Sequence, residues 1–430
     1  MQWFEPGLRA ACMEDGRRMV EALLNDRTLL PDEAPARPLE TRHSNRPHRV
    51  RTLFGAVRLH RCYYHHRPSH TGRCPLDEAL DLTGSYTPAL ARLICRAAAR
   101  SGSYDEAAAD LAAYAGLQLE ARGFGRLVAE LAPVLREALA TLPTPADQPP
   151  PNVLYISHDG TGVPMRRAEL AGIQGKQPDG SARTREAKLG CVFTQTVTGP
   201  DGEPWRDPHS TSYTGTFAES RHAGTLLRQE ALRRGLARAK QVVYLGDGAV
   251  WVWENAATNF PGAVQILDFY HASEHVGTLS AALWGTGSEQ AGQRQSQWCS
   301  QMKDSDTTAM LDEARRLLDD PLAAPPDPAR REAAQRELNY FETHRQRTRY
   351  GYFRANGWFI GSGVVEAGCK TVVGRRLKQS GMFWSKRGAE DLLGLRCLVL
   401  GPHFDAVWDA RRAVLADQRN RARRWSAAPS

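Results

Sequence analysis

Five prolines between Leu142 and Asn152 (LPTPADQPPPN) constrain this chain more than any other feature. Proline has no N–H to donate and a fixed φ, so the run can neither extend a helix nor fill a central strand. It divides an Ala-rich, helical region from a region of short β-type runs. A second break at 319–330 (DDPLAAPPDPAR) interrupts a long helical stretch, and no repeat of solenoid period is present. At roughly one domain per 150 residues, the 430 residues allow two or three domains.

Hydrophobic residues at 41% and charged residues at 24% exclude a disordered chain. No run approaches the ~18 apolar residues of a spanning helix. The start, MQWFEPGLRAACMEDGRR, has no apolar core after a basic stretch, so the sequence predicts no secretory leader and a cytoplasmic location. The eight cysteines are scattered without a Cys-x-x-Cys pair and read as reduced core residues. Net charge is +8, and its placement matters more than its size. Nine arginines lie between Arg37 and Arg73 against one acid, Glu40, and the stretch from Arg411 to Arg424 is also basic. Clustered positive charge suits phosphate neutralisation, although most charge runs are simply solvated faces.

In the first region, residues 50–65 alternate around Gly55 as a short hairpin, and residues 87–142 read as several helices. The segment from Ser103 gives a helix, a turn at Gly116 and a second helix after Ala121, the size of a helix-turn-helix. Cys62, His65, His66, His70 and Cys74 are zinc-ligand types, but their spacing fits no closed knuckle.

After the prolines, Val153 to Ile156 reads as a strand with Asp159 at its downstream end, followed by strands over Leu189–Gly199 and Trp205–Phe217. A basic helix follows, then a strand over Val242–Leu245 ending at Asp247, and a last strand ending at Asp268. Strand, strand, strand, helix, strand, helix, strand is the order of a ribonuclease H-like core, an α/β fold whose first and fourth strands are neighbours. Asp159 and Asp247 would then lie side by side, and a pair of divalent cations, Mg2+ or Mn2+, would relieve their repulsion and serve phosphoryl transfer. Glu366, in the first turn of a helix opened by Gly361, Ser362 and Gly363, is the third carboxylate. Lys370, Arg375, Arg376 and Lys378 follow it as phosphate-seeking cations. Each Asp-Gly pair alone would be an ordinary turn; the joint placement carries the reading.

The stretches HDGTGVPM, REAKLGCVFTQ, RDPHSTSYTGTF, GDGAVWVWE, FPGAVQILDFYHASEHV, YFRANGWFIGSGVVEAGCKTVVGRRLKQSGMFWS and LRCLVL resemble insertion-sequence transposases of the Kra type, within the Mutator-like group of DDE transposases. The resemblance spans about residues 50 to 410. It implies DNA cleavage and strand transfer at the ends of an insertion sequence by a ribonuclease H-like domain with an all-helical insertion. It also implies catalytic and metal-binding roles for Asp159, Asp247 and Glu366, DNA as partner, and a homo-oligomer on that DNA. The group's acid-x-x-His motif falls on Asp268 and His271, as accessory groups that support the site or touch DNA. Where relatives carry a Cys-pair ribbon, this chain reads RCYYHHRPSHTGRCPLDEAL, which departs from an N-terminal zinc site. The expected division is 1–142 DNA-binding, 143–152 linker, 153–271 first catalytic part, 272–355 helical insertion, 356–400 catalytic helix region and 401–430 basic tail.

Two other readings compete. His271 to His275 spell H-x-x-E-H, an inverted zinc-peptidase motif, but a five-residue pattern arises easily by chance. A non-catalytic DNA-binding regulator would keep the N-terminal helices and need none of the three acids.

Overall fold

The computed structural model describes residues 4–30, 32–144, 149–175, 177, 180–199 and 202–425. Residues 145–148 of the Pro-rich run and 426–430 of the expected tail lie outside the described residues. The chain forms two compact units, Met1–Leu142 with Arg387–Ser430, and Pro143–Lys386.

The first unit opens with α1 (Phe4–Asn25) and a three-stranded antiparallel sheet of β1 (Glu40–Thr52), β2 (Gly55–His66) and β3 (Thr71–Arg73). The hairpin is longer than the alternation around Gly55 suggests. Residues 40–49 are mostly exposed, so β1 shows no apolar rhythm until Val50 enters the core. Helices α2 (Pro75–Ala79), α3 (Pro88–Arg100), α4 (Tyr104–Ala115) and α5 (Ala121–Thr141) follow. The Ser103 hydroxyl caps α4 by accepting the Glu106 N–H at 2.9 Å, and Gly116 ends it in the left-handed region at φ 71°.

The second unit is built on a mixed five-stranded sheet. Its strands are β4 (Val153–Pro164), β5 (Thr184–Gln195), β6 (Ser212–Thr216), β7 (Gln241–Gly246) and β8 (Val264–Leu267), in the order β6-β5-β4-β7-β8. The β4–β5 and β5–β6 pairs are antiparallel, and β4–β7 and β7–β8 are parallel. The first and fourth strands are thus neighbours. Helices α6 (Ser220–Arg233) and α7 (Val250–Asn259) provide the crossovers that parallel pairing requires. Beyond β8 come α8 (Phe269–Trp284), α9 (Glu289–Asp304), α10 (Thr308–Asp319), α11 (Pro328–Thr343) and α12 (Tyr350–Ala355). Next is α13 (Gly363–Gly368), which runs through a π-helical stretch (Cys369–Gly374) into α14 (Arg375–Leu377).

Strand β4 runs well past the apolar residues that announce it. Asp159-Gly160 is not a turn: both residues stay in register with β5, opposite Leu189 and Lys188. A Cβ at 160 would lie 2.3 Å from the Glu186 carboxylate, the half-exposed end of a flexible side chain that would have to swing aside.

The last two helices, α15 (Lys386–Leu400) and α16 (Phe404–Trp425), return to the first unit. Residues 401–425 are therefore not a tail. Val407, Trp408 and Val414 join the core formed by α3, α4 and α5, and buried Arg411 pairs with buried Asp81. No described helix is long and apolar enough to cross a membrane.

Candidate active site

Side chains alternate across a strand, so Leu154, Ile156 and His158 face one side of the sheet and Tyr155, Ser157 and Asp159 the other. On the first side, His158 bonds the Tyr244 hydroxyl at 2.7 Å; burial lowers its pKa to about 3, so it is neutral at physiological pH. On the second side, Tyr155 packs edge-on against Phe359, and Gly368 of α13 lies close over Leu189 and Tyr213. The Cys369 thiol donates to the Asp159 carboxylate, and burial, with the neighbouring carboxylate adding to it, pushes that thiol up. π-Helical turns recur at functional sites, and here the turn holds Cys369 against β4.

Asp247 follows β7 by one residue and accepts the Ala249 N–H at 3.1 Å, which shapes the turn into α7. Gly248 in that turn has φ +97°, and a Cβ would stand 2.4 Å from the Tyr340 hydroxyl. Gly248→Ala is expected to lower stability by about 1–3 kcal/mol through combined strain and crowding. Urea denaturation checks this, and an unchanged midpoint would show that the turn relaxes freely.

Glu366 is positioned by a chain of hydrogen bonds that starts at Asp268. One Asp268 oxygen accepts the His271 N–H at 2.6 Å as the cap of α8, and the other accepts the Ser362 N–H. The Ser362 hydroxyl then donates to Glu366 at 3.0 Å. Asp268 is 1% exposed, so its carboxylate does not open toward the sheet edge as its place at the strand end suggested. It grips the start of the helix that carries Glu366.

Asp159 lies within electrostatic range of both other acids. Burial is the main reason its carboxyl is raised above the ordinary 3.8, and the charges of Asp247 and Glu366 add to it against the Cys369 hydrogen bond. The three carboxylates do not all close to within 4.8 Å of one another. A carboxyl with a raised folded pKa weakens the fold above that pKa, and the lost stability returns as pH falls through it. Asp159→Asn is therefore expected to melt higher than the parent at pH 7 without metal. Added Mg2+ should raise the melting temperature of the parent and raise that of the variant less. A variant that melts lower at pH 7, or gains as much from Mg2+, would contradict this.

The cations expected beyond Glu366 divide. Lys370, Arg375 and Lys378 are exposed, and Lys378 bonds Thr161, two residues along β4 from Asp159. Arg376 requires correction: it is 1% exposed, with its guanidinium 5.2 Å from the Trp384 ring, and is not available to DNA. Of the four cations Arg376 alone faces inward, over the Trp384 ring.

The H-x-x-E-H stretch does not assemble a zinc site. His275 bonds Glu337 at 2.7 Å and stacks on Tyr340 at 3.8 Å, while the Glu274 side chain is 81% exposed. His271 is partly exposed and meets His275 edge-on at 5.0 Å. In the first unit, Cys62, His65, His66, His70 and Cys74 do not converge either. Among the described residues, the trio of ligand atoms within 4.8 Å is Asp32, Glu33 and Cys62, and its acids already face Arg27 and Arg42.

The sequence marks Ser362 as the turn and cap before the helix, and in the structure its hydroxyl caps no backbone N–H and bonds the Glu366 side chain instead. Sequence reasoning missed Cys369, Thr161 and Tyr340, which carry no local signal.

No protein-family model matches the chain, and no curated protein matches it. Among solved structures, a chain titled "Drosophila P element transposase strand transfer complex" aligns with 69% of this chain and 92% of its own length, at 10% identity and a TM-score of 0.31. A superposition that loose carries no weight for chemistry. The residues and the topology of the second unit bear the functional reading.

Proposed function

We propose that this chain is a DDE transposase with a ribonuclease H-like catalytic domain, cleaving and joining DNA strands at the ends of an insertion sequence. The observation that carries the reading is the meeting of Asp159 on β4, Asp247 after the adjacent parallel strand β7, and Glu366 on α13, three acids from distant positions that share one electrostatic neighbourhood. Their all-oxygen donor set suits Mg2+ or Mn2+, and the raised Asp159 carboxyl is a charge conflict that cations relieve. Two such ions, when bound, would supply activation of the attacking oxygen and charge for the leaving one.

The remaining roles belong to the chain itself. Asp268 and Ser362 fix the direction of Glu366, and Cys369 fixes Asp159. Lys370, Arg375 and Lys378 hold the phosphate backbone near the acids, and His271 presents an imidazole at the start of α8. The assembly acts as a homo-oligomer on DNA.

The test is a strand-cleavage and strand-transfer assay with the purified full chain, Mg2+ or Mn2+, and a duplex bearing the element's own ends. Metal-dependent release of 3′ ends and their joining to target DNA are expected. Binding of those ends without cleavage in either metal would replace this reading with that of a non-catalytic regulator.

A further inference from the structure

In the first unit, local electrostatic rules are broken around one cleft. Arg49 and Arg58 stand directly opposite each other across β1 and β2, where like charges are destabilising. Arg122 and Arg126 are one turn apart on α5, a spacing at which like charges weaken a helix. Arg122 also sits in the first turn, where the helix dipole favours anions. Arg49, Arg58 and Arg126 have no ion-pair partner among the described residues. Local rules broken together, with Arg122 alone of these four in an ion pair, mark functional surfaces.

The cleft, of about 420 Å³, is lined by Arg49, Arg51, Arg122 and Arg126 with Tyr86 among them. It is a built feature. Segment 83–87 is tied to β1, with the Arg51 N–H donating to Ser85 at 2.7 Å and the Thr87 N–H donating to Arg51 at 3.0 Å. The Tyr86 hydroxyl fills the space that Gly123 leaves open, since a Cβ there would lie 2.6 Å away. The Arg51 guanidinium lies 5.7 Å from the Tyr86 ring centre. Hairpin and helix are thereby fixed to each other, which sets the backbone positions of the arginines before any ligand arrives. Two acids also border the cleft. Glu120 bonds Arg122 at 2.6 Å and is held low by that contact, with Arg51 and Arg126 adding to it, while partial desolvation raises the carboxyl of Glu130, whose residue as a whole is exposed. Four arginines against these two leave the cleft positive.

We propose that this cleft is a binding site for the phosphate backbone of duplex DNA, with Arg49 and Arg51 of the hairpin and Arg122 and Arg126 of α5 as its contacts. A duplex is favoured over a small anion because the cations extend from the sheet face to the helix start. Helix α5 is the second of the two-helix unit α4–α5, and in such units the beginning of the second helix reaches DNA. The inference uses none of the three acids.

The experiment is fluorescence anisotropy of the full chain with a labelled random-sequence 30-base-pair duplex in EDTA, across a salt series. The double variant Arg49→Glu/Arg126→Glu should bind at least ~10-fold more weakly, with a log–log salt slope smaller by about 2. Its melting temperature should be equal or higher, because the substitutions relieve like-charge pairs. Glu120→Gln should bind more tightly. Unchanged affinity and slope in the double variant would overturn the proposal, as would an equal loss in Arg336→Glu, an exposed charge change on α11. EDTA silences metal-dependent cleavage, so failure here leaves the acid site untouched, and failure of the cleavage assay leaves this site untouched.

Discussion

Alanine at Asp159, Asp247 or Glu366 is expected to reduce metal-dependent strand cleavage by about a thousandfold or more, with duplex binding retained. Losing one carboxylate removes several kcal/mol of charge stabilisation, and each 1.4 kcal/mol is about a factor of ten. The three positions fail by the same route but differ in their effect on the fold. Asp159 carries a burial penalty in the metal-free protein, so its removal should not destabilise the chain. Removing Asp247 deletes the acceptor for the Ala249 N–H, and stability should fall slightly. Glu366 is exposed, and its loss should leave the melting temperature nearly unchanged. Cleavage rates measured beside thermal melts test all three. Near-parental cleavage by Asp247→Ala would remove that residue from the site and sink the three-acid model.

Asp268→Ala should be the most destabilising single change in the second unit's polar groups. It removes the cap of α8, worth about 1 kcal/mol, and leaves the Ser362 N–H without its acceptor, worth about 1–3 kcal/mol more. A loss of about 2–4 kcal/mol in urea denaturation is expected. Cleavage measured well below the melting temperature should also fall about 10–100-fold, because Glu366 loses the turn that orients it. Asp268→Asn keeps one carbonyl acceptor and should recover part of both effects. A full loss of stability with cleavage unchanged in the folded fraction would make Asp268 a structural cap only.

Much of the candidate site was legible before any coordinates. The proline run, the apolar runs of β4 and β7 and the glycines before Glu366 are local signals, and they led to Asp159, Asp247 and Glu366. What misled was also local. Asp-Gly at 159–160 reads as a turn because both residues favour turns in isolation, yet β5 supplies partners on the far side and the strand continues. Residues 40–49 hide a strand because their side chains are solvent-facing. Arg376 reads like Arg375, and only Trp384 eight residues on distinguishes a buried cation from an exposed one.

The sequence by itself determined the apolar starts of β4, β7 and β8, the helical character of residues 87–142, the order of these elements, and which acids and cations could share one site. These follow from hydrogen bonding and side-chain periodicity within short windows. Tertiary structure alone decided that Asp268 turns its carboxylate into the start of the Glu366 helix, that Cys369 meets Asp159, and that α15 and α16 close the core of the first unit. It also decided that Arg49, Arg51, Arg122 and Arg126 line one cleft. Burial, pairing and electrostatic neighbourhood depend on residues far apart in the chain, and no local pattern encodes which distant partner arrives.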